Sequence, residues 1–93
     1  MKELIALVKD LISKIQSDSA TLLYYINTLD AVLHFLRDIL GGPPVIGEDP
    51  DDAEQLVGIC SDLGLEVPKA GSVISIALQL LLKYILEQFL KNN

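Results

Sequence analysis

His34 is the only histidine in the chain and Cys60 the only cysteine. With the acidic run EDPDDAE at residues 48–54, they are the residues whose types could do chemistry. Asp30 and Asp38 stand four residues to either side of His34, so on a helix the three share a face. Carboxylate, imidazole and carboxylate at that spacing form the edge of a divalent-metal site. Arg37 and Asn27 fall on the same stripe, however, and a guanidinium repels a cation. Metal sites also recruit ligands from a second helix. The stripe is therefore read as a solvated face, with His34 exposed and idle. Cys60 with His34 as its base would begin a nucleophilic pair, but no third group orients the base and nothing marks an oxyanion site. Cys60 sits among Leu56, Val57 and Leu63, where a cysteine acts as a small buried hydrophobe. A place on a seam between two copies is the alternative for its sulfur.

The acidic run fails as a calcium loop. Such a loop needs glycine at its sixth position and glutamate at its twelfth. Counted from Asp49, those positions hold Glu54 and Cys60. Capping and dipole complementation at a helix start account for every acid in the run. Gly41-Gly42 lacks the lysine and serine of a phosphate loop, and no strand precedes it. In Asp62-Leu63-Gly64, glycine stands where a phosphopantetheine carrier needs the serine after its Asp-Leu pair. No catalytic, cofactor-binding or metal-binding residue is predicted, and the chain is not expected to be an enzyme.

The elements that would position any site are helical. The chain has 93 residues, a net charge of −6, 51% apolar residues and 5% aromatics. A Leu/Ile-rich, aromatic-poor composition suits helix packing, and this length predicts one domain spanning residues 1–93. Arg37 is the sole arginine and the lysines are scattered. Nucleic-acid binding needs clustered positive charge to replace counterions, so that class is excluded, and anionic membrane surfaces are disfavoured for the same reason. One cysteine cannot make an intrachain disulfide, which excludes a disulfide-stapled scaffold. The opening MKELIALVKDLISKIQ is interrupted by Lys9 and Asp10 and does not read as a signal peptide. The longest run of membrane quality, 73–82, is half a span, and extending it brings in Lys83 and Glu87. These features predict a soluble, cytoplasmic chain, or a subunit of a virion or other intracellular assembly.

Apolar periodicity of the i, i+3, i+4, i+7 kind predicts four helices, at about 2–16, 19–40, 50–63 and 69–91. Ser17-Asp18-Ser19 supplies N-cap residues for the second. In that helix Leu22, Ile26, Leu29, Leu33, Leu36 and Leu40 are expected to form the core centre, broadened by Tyr25, Val32, Phe35 and Ile39. Gly41-Gly42-Pro43-Pro44 stops it, and Val45 and Ile46 in the following loop are expected to tuck over the core end. Asp49 caps the third helix, with Pro50 at its first position. Gly64 and Leu65 end it in a Schellman-type motif. Either Pro68 or Ser72 opens the fourth. The predicted fold is all-α: a four-helix bundle built from two helical hairpins, short-long and short-long, joined by the Gly/Pro loop.

The fourth helix carries the functional signal. Gln79, Lys83, Glu87 and Lys91 recur every fourth residue and form one narrow polar stripe. Ile74, Leu78, Leu81, Leu82, Ile85 and Phe89 lie opposite and suit a core. Ile76, Leu80, Leu86 and Leu90 flank the stripe, where a lone bundle leaves them in water. A second copy of the chain is the simplest cover. The predicted interface is Ile76, Leu80, Lys83, Leu86, Glu87 and Leu90. The expected function is a non-enzymatic interaction or structural assembly module that self-associates through this helix, most simply as a two-fold dimer. The alternatives are a carrier of a small apolar ligand and a peripheral membrane protein. No cofactor is expected.

Overall fold

The computed structural model describes residues 1–41, 49–68 and 71–92, apart from the side chains of 39, 40 and 92. The expected places of Val45 and Ile46, and of the side chains of Ile39 and Leu40, lie outside the described residues. Four helices and no strand make up the described chain: α1 (Lys2–Gln16), α2 (Leu22–Gly41), α3 (Pro50–Asp62) and α4 (Val73–Asn92). α1 packs on α2 and α3, and α4 packs on α2 and α3, which closes a four-helix ring. Tyr25, in the first turn of α2, meets Phe89, in the last turn of α4, with ring centroids 5.4 Å apart. These two helices therefore run antiparallel.

The helix ends follow from local chemistry. The Asp49 carboxylate accepts the Asp51 N–H at 2.9 Å, and Pro50 occupies the first helical position. At the other end of α3, Gly64 takes φ +77°. Leu65 N–H donates to Cys60 O at 2.8 Å and Gly64 N–H to Ser61 O at 3.0 Å, the paired bonds of a Schellman cap. A Cβ on Gly64 would meet nothing within 4 Å, so Gly64→Ala suffers only the left-handed backbone penalty. The expected loss is about 1–2 kcal/mol in urea unfolding. Of the two candidate starts for α4, Ser72 is the one used: its hydroxyl accepts the Ser75 N–H at 3.2 Å.

The Ser17-Asp18-Ser19 turn corrects an expectation. It closes α1 rather than opening α2. Asp18 adopts φ +58°, and Ser19 N–H donates to Lys14 O at 2.8 Å. This is a second Schellman-type cap, with an aspartate where glycine is usual; Asp tolerates this conformation better than most residues. α2 consequently begins three residues later than expected. Lys14 ties the turn together, pairing with Asp10 at 2.8 Å and lying 4.5 Å over the Tyr24 ring. The Asp10 hydrogen bond is the main reason its pKa lies above the ordinary lysine value.

The main core joins Leu4, Ile5, Val8 and Ile12 of α1, Val32 and Leu36 of α2, Leu56, Ile59 and Cys60 of α3, and Ile74, Ala77, Leu78 and Leu81 of α4. A smaller cluster of Leu11, Tyr25 and Ile85 fills the end where Phe89 packs. On α2 the buried positions are Tyr25, Thr28, Val32 and Leu36. Leu22, Ile26 and Leu33 are more than half exposed, Leu33 by 53%. The core face of α2 is thus rotated away from the leucine ladder that the sequence favours. The expected core role of Leu33 is overturned.

Candidate interaction surface

His34 is exposed, 3.9 Å from Asp38 Oδ2, at the rim of an open groove of about 460 Å³ between α1 and α2 that Leu7 and Phe35 also line. Among the described residues no three of His, Cys, Asp or Glu are arranged to hold a metal. His34→Gln is expected to change stability by less than about 0.5 kcal/mol, as at ordinary surface sites. A larger loss in thermal unfolding contradicts that placement.

Cys60 is fully buried, with Sγ 3.7 Å from the Ala77 carbonyl oxygen. Burial pushes its thiol pKa up, the opposite of what a nucleophile needs. The same burial removes it from any seam between copies. Asp52 is buried, and among the described residues its Oδ1 has no hydrogen-bond partner. Its place in the first turn of α3 sets it against the positive end of that helix, which offsets part of the desolvation cost.

Among the described residues the exposed large apolar side chains are Leu7 on α1, Leu22, Leu23, Tyr24, Ile26 and Leu33 on α2, and Leu86 and Leu90 on α4. Helix geometry brings most of them to one place. On α2, Ala31 and Phe35 border the groove against α1, while Tyr25 and Leu29 pack with Ile85 and Phe89 of α4. At 100° per residue, Leu22, Ile26 and Leu33 lie just beyond Leu29, on the outer surface nearest α4. On α4, Ala77 marks the side facing α3 and Phe89 the side facing α2. Leu86 and Leu90 lie beyond Phe89, on the outer surface nearest α2. The two exposed rows therefore flank one seam and give that side of the bundle an apolar face, on which the exposed Arg37 and Gln79 also lie. Leu90 is 72% exposed and Ile26 51%. Leu22, Ile26 and Leu33 stand four and seven residues apart, which keeps them on a single stripe of α2.

The residues expected at an interface divide in this light. Leu86, Leu90, Lys83 and Glu87 are exposed. Ile76 and Leu80 are half-buried, and Leu80 packs on the main core. The face is centred between α4 and α2, with Glu87 beyond its far edge. Sequence reasoning missed the α2 half. The signal was present in the unbroken leucine spacing, but it was assigned to the core.

No family model, curated protein or solved structure matches the chain.

Proposed function

We propose that this protein is a non-enzymatic helical assembly module that self-associates through the apolar face shared by α2 and α4. The observation that carries this reading is the exposure of Leu22, Ile26 and Leu33 together with Leu86 and Leu90, which helix geometry groups on one side of the bundle. Scattered exposed leucines are ordinary on a soluble protein, but five large aliphatic side chains grouped on one side are not. The bundle measures 38 × 25 × 20 Å. Even its narrower long side offers on the order of 800 Å², about what one partner contributes to a standard interface. The net charge of −6 keeps such a surface soluble until it meets its match. Native mass spectrometry after mild purification tests the reading. A two-chain species free of lipid is expected, and a one-chain species carrying lipid contradicts it.

One observation favours a second reading. Val73–Lys91 is long and apolar enough to cross a membrane, and only 33% of that window is buried in the bundle. This is more than the half-span legible at 73–82. The same face would then meet lipid instead of a second copy. Flotation with neutral liposomes separates the two: the assembly reading expects the protein to stay at the bottom of the gradient.

A further inference from the structure

The geometry points to one orientation for the dimer, in which α2 of each copy lies across α4 of the other and Asp30 of one copy pairs with Lys83 of its partner. This rests on the self-association reading above. Its basis is a coincidence of height and sign. In the antiparallel α2–α4 pair, Tyr25 is level with Phe89. Five residues further along α2 and five back along α4, Asp30 is level with residue 84. Lys83 is one residue away, about 1.5 Å along the axis.

The two charges also occupy matching edges. Asp30 lies on the rim of the face farther from α4, and Lys83 on the rim farther from α2. A two-fold axis parallel to the helices carries the α4 rim of one copy onto the α2 rim of the other without changing its height. Asp30 and Lys83 are then opposed twice in every dimer, once on each side of the axis. Neither forms an ion pair within its own chain among the described residues. The other two-fold choice, with the axis across the helices, lays α2 on α2 and α4 on α4. It keeps Asp30 and Lys83 on opposite rims, so neither charge reaches the other across the seam. Complementary charge at the rim of an apolar seam sets orientation and register, so the parallel axis is the one the sequence supports.

Charge reversal tests this directly. Both side chains are exposed, so Asp30→Lys and Lys83→Asp should leave the helical spectrum unchanged. Each single reversal creates two like-charge contacts per dimer, and the dimer dissociation constant should rise about tenfold or more. The double variant, Asp30→Lys with Lys83→Asp, should return to within about threefold of wild type, since the pair is restored with its signs exchanged. A dimer that ignores the single reversals, or is not rescued by the double, overturns the orientation while leaving self-association standing. A wild-type protein that is monomeric throughout overturns both.

Discussion

Leu81→Ala is expected to lose about 2–5 kcal/mol of folding stability, a large part of the 5–15 kcal/mol typical of a whole domain. Leu81 is fully buried in the cluster that joins all four helices. Its loss removes apolar transfer energy and leaves a cavity the packed neighbours cannot close. Leu33→Ala is the informative contrast. The change deletes the same atoms, yet Leu33 is half exposed, and the expected loss is under about 1 kcal/mol. Urea unfolding in a monomeric background keeps association out of the comparison. Equal, large losses at both positions would return α2 to the leucine-ladder register and remove half of the apolar face.

The second large effect is on assembly. Ile26→Glu with Leu90→Glu should yield a folded, soluble monomer, with the dissociation constant raised at least about 100-fold, or roughly 2.7 kcal/mol. Both side chains are more than half exposed, so the helical content should persist. A carboxylate forced into an apolar seam without a partner is costly to desolvate. Leu80→Glu, at a position the sequence assigns to the interface, would place the charge against the core and confuse unfolding with dissociation. If the Ile26/Leu90 variant still dimerises like wild type, the seam is elsewhere on the molecule.

Much of the fold was legible because local rules agreed with global packing. α1 has a single apolar stripe, and its Leu4, Ile5, Val8, Leu11 and Ile12 are buried as their spacing demands. The Asp49–Pro50 start and Gly64–Leu65 end of α3 are chemical signals that tolerate little else. α2 is different. It is apolar over so much of its circumference that periodicity offers no contrast. Which stripe turns inward is set by where α1 and α4 sit, and the choice falls on Tyr25, Thr28, Val32 and Leu36, one of them a threonine. The leucines left outside are the ones that make the apolar face. On α4 the difficulty was symmetry: apolar residues flank the polar stripe on both sides, and only the bundle shows that Leu80 packs on the core while Leu86 and Leu90 remain outside. Ser17-Asp18-Ser19 misled because the same small polar residues serve either end of a helix, and only the backbone conformation of Asp18 distinguishes the two uses.

Self-association is the claim on which the functional account stands, and sedimentation equilibrium of the wild-type chain measures it most directly. Burying the exposed parts of five large side chains in each copy is worth on the order of 10 kcal/mol gross, and the loss of translational and rotational freedom consumes much of that. The account predicts a reversible dimer of about 20 kDa, twice the 10.2 kDa of one chain, with a dissociation constant in the micromolar range or tighter. A single 10.2 kDa species persisting at about 100 micromolar, far above that constant, would contradict it.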